Sequence, residues 1–219
     1  MLKVLKSYEE LSSSIVPVKI SGNSSSLPLQ LHYLALSVET NRKAVILTSN
    51  LSEMNYRLIC SKSAVRWNPQ LVTLVNALEP TCSFSESELT SLESLETKIL
   101  ESSAQIVIFD DLSVFEDLGV PAVRIALFIS QLFHKIRQNS ETVTILAPFS
   151  KDSLAYDLLA EKCLSEISIS PAGHGFSTTA SAKCDIKIKH VGRKPSSQCS
   201  LLLSGERTNN AVICGSLFT

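Results

Sequence analysis

The chain has 219 residues, 44% of them hydrophobic, and a formal net charge of -1. That apolar fraction excludes a chain disordered throughout, and the length suits one domain, or one domain with a small appendage, around a substantial core. The charge gives no global pull toward a polyanion or a membrane, although it is uneven: residues 79–101 hold six Glu against one Lys, and residues 183–207 hold six Lys or Arg against two acids.

In chain order, residues 1–10 read as a short helix, and a Ser-rich connector leads from it into a strand over Ile15–Ile20. Pro17 marks that strand as tolerant of an edge position, because proline has no N–H to give a ladder. The turn Ser21-Gly22-Asn23-Ser24-Ser25-Ser26 follows. Leu27, Leu31, Leu34, Ala35 and Val38 then recur at helical spacing, with Pro28 in the first turn, where its missing N–H costs little. A strand over 43–48, a helix over 53–64 and a strand over 71–75 come next. An acidic helix over 86–101 carries a thin stripe of Leu89, Leu92, Leu95 and Ile99.

The strand Ile106–Phe109 ends on Asp110 and Asp111, followed by a loop and an amphipathic helix. On that helix Ile125, Phe128, Ile129, Leu132, Phe133 and Ile136 share one face. Arg124, Gln131, His134, Lys135 and Gln138 share the other, with Leu127 alone among them. A strand over 142–147 and a helix over 152–163 precede four short strands, at 165–170, 183–190, 198–203 and 211–217. Their turns carry Gly173, Gly175, Gly192, Pro195, Gly205 and Asn209-Asn210. Strands alternating with helices, then a run of hairpins, predict an α/β fold. Its sheet is mostly parallel, extended by antiparallel strands at the C-terminal end, with helices on both faces.

In a parallel sheet, core strands deliver polar groups to the carboxyl edge, where ligands usually sit. In P-loop NTPases an Asp at such a strand end holds Mg²⁺, and the phosphates lie in a G-x-x-x-x-G-K-[ST] loop after the first core strand. The equivalent turn here is Ser21, Gly22, Asn23, Ser24 and the two serines after them, with one glycine and no Lys or Arg between residues 20 and 41. Pro28 removes a further N–H near the helix start. A helix N-terminus alone attracts an anion by only about 1 kcal/mol. ATP hydrolysis is therefore not expected, and Asp110 and Asp111 are expected to cap the turns around them or to line a subunit contact.

No CxxC or HxxxH pair occurs, which excludes the usual structural zinc spacings, and the six cysteines read as mostly buried free thiols. Together with the lack of a signal peptide or a long apolar run, this favours a reducing compartment, cytosol or nucleus. The histidines, at 32, 134, 174 and 190, are dispersed, and no nucleophile elbow is present. His174, between two glycines, is the one in a site-like loop. Lys187 and Lys189 share one strand face, and Arg193 and Lys194 lie in the loop beyond. Such a stripe is either the solvated side of a strand or a contact to nucleic-acid phosphates.

The segment 106–114, with Asp110-Asp111-Leu112-Ser113 at its centre, then Leu118-Gly119 and a helix holding Phe128-Ile129, resembles the Elongator complex protein 6 family. The close match spans some 30 residues, and the remaining elements agree in order. The resemblance implies a RecA-like domain over 15–219 without a functional Walker A loop, preceded by the helix and connector of 1–14. It implies a non-catalytic subunit, without cofactor or metal, of a heterohexameric ring formed with Elongator subunits four and five. That ring binds tRNA and assists the catalytic Elongator subcomplex in wobble-uridine modification. On this view Asp110 and Asp111 are a degenerate Walker B, Leu127 a candidate subunit contact, and Lys187, Lys189, Arg193 and Lys194 candidate tRNA contacts. Two other readings share the fold: a recombinase-paralogue scaffold in DNA repair, and an NTPase with an unorthodox phosphate loop.

Overall fold

The computed structural model describes residues 13–78, 88–171, 182–189, 197–203 and 212–213. The alternating part runs β1 (Ile15–Ile20), α1 (Leu27–Thr40), β2 (Ala44–Thr48), α2 (Glu53–Lys62), β3 (Val72–Asn76), α3 (Glu88–Glu101), β4 (Ile106–Phe109), α4 (Ser113–Asp117), α5 (Ala122–Arg137), β5 (Thr144–Phe149) and α6 (Leu154–Lys162). The hairpin part is β6 (Ser165–Pro171), β7 (Ala182–Ile188), β8 (Ser197–Leu203) and β9 (Val212–Ile213). All nine strands form one sheet in the order β3-β2-β4-β5-β1-β6-β7-β8-β9. Pairing is parallel from β3 through β6 and antiparallel from there to β9. The predicted helix over 1–10 and most of the last predicted strand lie outside the described residues.

Residue pattern explains the change of pairing. Every residue of β2, β4 and β5 is buried, and these strands read as continuous apolar runs, as strands covered by helices on both faces must. In β6 and β7, buried residues alternate with half-buried or exposed ones, so one face packs and the other meets water. The sheet separates two cores. One holds Leu95, Ile99, Phe115, Ile125, Phe128, Ile129, Leu132 and Leu159, from helices α3 to α6. The other holds Leu29, Tyr33, Leu34, Tyr56 and Cys60, from α1 and α2.

The amphipathic reading of α5 matches the structure: all six residues of its apolar face are buried, and Leu127 is 48% exposed. Phe109 of β4 meets Phe128 edge-on at 6.3 Å between ring centroids, which ties this helix to the acid-bearing strand.

Two expectations need correction. Pro17 does not sit at an edge, because β1 lies between β5 and β6. Ser14 C=O accepts from Ile145 of β5, while Ser21 N–H donates to Ile169 of β6. By the two-residue alternation, Pro17 turns its missing donor toward β6, whose pairing with β1 begins only at Val18. The proline therefore removes no ladder bond. The buried residues of α1 also differ, being Leu29, Gln30, His32, Tyr33, Leu34 and Ser37. Leu27, Leu31, Ala35 and Val38 are half-buried. With leucines on nearly all sides, periodicity did not select the face; Gln30 and Ser37 tolerate burial because each is hydrogen-bonded internally.

The two faces of α5 give a direct check. Ile129→Ala should cost about 2–5 kcal/mol in urea denaturation, and Leu127→Ala should stay within about 0.5 kcal/mol of the parent. Equal effects would mean the helix is rotated from the orientation described.

Candidate functional site at the carboxyl edge of the sheet

Parallel strands gather their outgoing loops at one edge, and each loop arrives with backbone N–H groups that need partners. At this edge the acids ending β4 meet those needs. Asp110 Oδ2 accepts the Ser49 N–H at 2.7 Å, the Thr48 hydroxyl at 3.0 Å and the Asn50 N–H at 3.3 Å. Asp110 Oδ1 accepts its neighbour's N–H, that of Asp111, at 2.7 Å, and the Ser49 hydroxyl lies within 3.2 Å of both oxygens. The carboxylate thus caps the loop leaving β2. Burial pushes its pKa above the ordinary 3.8, against the opposing pull of these donors.

Asp111 serves the other neighbour of β4. Its Oδ1 accepts Ser113 N–H at 2.9 Å and Ser150 N–H at 3.3 Å, and its Oδ2 accepts the Ser150 hydroxyl at 2.5 Å. Ser150 N–H also reaches Ser113 Oγ at 3.0 Å. The loop leaving β5 is held further by Lys151 to Asp117, by the Ser153 hydroxyl to Glu116 Oε1, and by Lys19 to Asp152 at 2.6 Å. The two lysines of this edge, Lys19 and Lys151, are thereby paired with carboxylates.

The turn after β1 is organised by the same edge. Gly22 has φ +61°, a left-handed conformation that glycine adopts without strain. A Cβ there would stand 3.0 Å from Pro171 Cγ. The glycine therefore admits the end of β6 rather than an anion. Ser21, Gly22 and Asn23 are exposed, Ser24 half-buried, and Ser26 buried at the helix N-cap. The Ser26 hydroxyl donates to the Asp110 carbonyl oxygen at 3.2 Å instead of capping its own helix. It also accepts from Gln30 Nε2 at 2.8 Å, and Gln30 Oε1 accepts the Tyr56 hydroxyl at 2.8 Å. Sequence reasoning passed over Gln30 and Tyr56. The only signal was a polar Gln among leucines in the first turns of α1.

Of the basic candidates, Lys187 and Lys189 stand apart from this edge. Lys187 pairs with Glu166 at 2.9 Å, and Lys189 Nζ donates to the Ala160 carbonyl near the end of α6, with Glu166 3.9 Å away. Arg193 and Lys194 lie outside the described residues, as does the loop of His174. Leu127 lies one helical turn from Val123, which is 52% exposed, and Leu118 ahead of α5 is 47% exposed. His32 is buried in α1 and His134 exposed on α5, on opposite faces of the sheet. Cys60 and Cys184 are buried free thiols, Cys163 and Cys199 partly so. Burial pushes Cys184 up to about 12 and Cys163 up to about 11, which disfavours the thiolate at each. No described helix is long and apolar enough to cross a membrane.

Solved structures similar to the chain include a KaiC-like protein from the archaeon Pyrococcus horikoshii, with 12% identity and a TM-score of 0.59 over 89% of this chain and 90% of that one. They also include the flagellar accessory protein FlaH from Methanocaldococcus jannaschii, with 9% identity and a TM-score of 0.65 over 93% and 91%. The chain has a RecA-like fold. No protein-family model matches the sequence, and no curated protein matches it.

Asp110→Asn sets an amide among donors and should cost about 1–3 kcal/mol at neutral pH. The pH dependence has a defined sign. With its folded-state value raised, Asp110 contributes stability that is fully present below 3.8 and lost as pH rises through the raised value. Urea titrations of both proteins should show the parent's advantage over the variant growing as pH falls, then levelling off below 3.8. A constant difference would count against burial as the dominant influence.

Proposed function

We propose that this chain is a non-catalytic RecA-like subunit of the Elongator accessory ring. In this reading it sits beside subunits four and five and supports tRNA binding and wobble-uridine modification by the catalytic subcomplex. The observation that carries the non-catalytic half is the engagement of Asp110. In a P-loop NTPase the acid at this strand end serves a nucleotide-bound Mg²⁺. Here its two oxygens are occupied by the Thr48-Ser49-Asn50 loop and Asp111. The turn opposite brings no Lys or Arg.

The Elongator half is supported by the same segment. In Asp110-Asp111-Leu112-Ser113, which carries the family resemblance, the acids hold the loops on either side of β4, Leu112 is fully buried, and Ser113 helps to fix Ser150. Val123, Leu127 and Leu118 supply apolar surface of the kind that subunit contacts bury. With Lys187 and Lys189 held by Glu166 and the end of α6, their part in tRNA binding is to shape the surface more than to supply free charge.

Mass spectrometry of tRNA from cells lacking this protein tests the proposal. Loss of the carboxymethyl-type modifications at wobble uridines is the expected result. Intact modification would refute the Elongator reading and direct attention to DNA-repair partners. Isothermal titration of the purified chain with ATP and Mg²⁺ tests the other half. No binding in the micromolar range is expected, and saturable binding there would favour the NTPase reading.

A further inference from the structure

Four polar residues are buried beneath the exposed turn after β1: Ser26 at 4% exposure, Gln30 at 4%, Thr48 at 3% and Tyr56 at 0%. They come from the turn itself, from α1, from the end of β2 and from α2. Their bonds make a continuous path. Tyr56 Oη donates to Gln30 Oε1 and Gln30 Nε2 to Ser26 Oγ, both at 2.8 Å, and Ser26 Oγ donates to the Asp110 carbonyl oxygen at 3.2 Å. On the other side the Thr48 hydroxyl donates to Asp110 Oδ2 at 3.0 Å and accepts the Leu51 N–H at 2.9 Å. Asp110 is thus bonded to the turn after β1 through its carbonyl and to the end of β2 through its carboxylate.

We infer that Gln30 and Tyr56, with Ser26, Thr48 and Asp110, form a side-chain lock that couples the turn after β1 to the loop after β2. The lock takes over the structural part that bound phosphate and its cation play in a P-loop. The inference deepens the non-catalytic reading of the same edge and rests on it.

The physical case has three parts. In P-loop NTPases a hydroxyl from the first turn and an acid from the neighbouring strand end both bind the Mg²⁺ that joins the turn to the sheet. Here the hydroxyl of Ser26 is bonded to the residue carrying the acid, Asp110. Second, a buried glutamine is costly unless both ends of its amide are satisfied, and Gln30 has a partner at each end. Third, the path crosses α1 and α2, which are separate in sequence, so breaking it at Tyr56 should be felt at Ser26. A set of independent surface bonds would not behave that way.

Hydrogen exchange on the purified full chain reads this coupling, using Tyr56→Phe, Gln30→Leu and the double variant, each with and without ATP and Mg²⁺. Tyr56→Phe keeps the ring and removes one hydroxyl. It should speed exchange of the Leu29 and Gln30 amides, whose N–H groups bond to Ser26 C=O, by about tenfold, and that of residues 49–51 similarly. The double variant should be no faster than the faster single one. Thr48→Val breaks the path from its other side and should reproduce the effect if Tyr56→Phe does not fold. Acceleration confined to α2 would overturn the lock while leaving the non-catalytic reading intact. Protection of residues 21–26 by ATP in the parent, with the coupling present, would overturn that reading and the claim that the lock stands in for phosphate.

Discussion

The arrangement of this protein depends on the carboxylate of Asp110 and the main-chain donors that converge on it. Six strands run parallel through the middle of the sheet, so their exits crowd one edge, and N–H groups leaving them must find acceptors there. Neutral side chains supply few acceptors, whereas an ionised carboxyl offers two oxygens and several lone pairs. Placing Asp110 and Asp111 at the end of a central strand lets one dipeptide serve both neighbours, β2 through residues 48–50 and β5 through Ser150. The apolar run of β4, buried at every position, fixes where those two acids emerge.

P-loop enzymes make a different use of the same position. A metal-binding carboxylate needs free lone pairs directed at the cation, and a phosphate site needs an excess of positive charge. Here the lone pairs are taken by hydroxyls and amides, Lys19 and Lys151 are neutralised by Asp152 and Asp117, and the single glycine of the first turn faces Pro171. These three features reinforce one another. A partly buried carboxylate is better held by hydrogen bonds than left unpaired.

The antiparallel extension follows different rules. In β6 and β7 buried and solvent-facing residues alternate, with Ile186 and Ile188 inward and Lys187 outward. Charges on that outer face are arranged in local pairs, Lys183 with Asp185 and Lys187 with Glu166, as suits the solvated side of a sheet. Among the described residues, exposed apolar side chains include Leu127 and Val123 on α5 and Met54 and Leu58 on α2.

The order of strands and helices, the change from parallel to antiparallel pairing and the buried face of α5 were legible in the sequence, because each rests on local periodicity. The absence of a phosphate lysine was legible too, being a matter of composition within a short segment. The position of Pro17 was not, since nothing within Ile15–Ile20 records that β6 pairs with β1 only from Val18 onward. The buried stripe of α1 was equally hidden, because its leucines surround the helix and only packing selects among them. Gln30 and Tyr56 lie 26 positions apart, and their bond exists only once α1 and α2 are laid side by side on one face of the sheet. Sequence by itself determined the class of sheet and the lack of a lysine or arginine in the turn after β1, through patterns a few residues long. Tertiary structure alone decided what Asp110 holds, because its partners arrive from strands and helices sixty and more residues away.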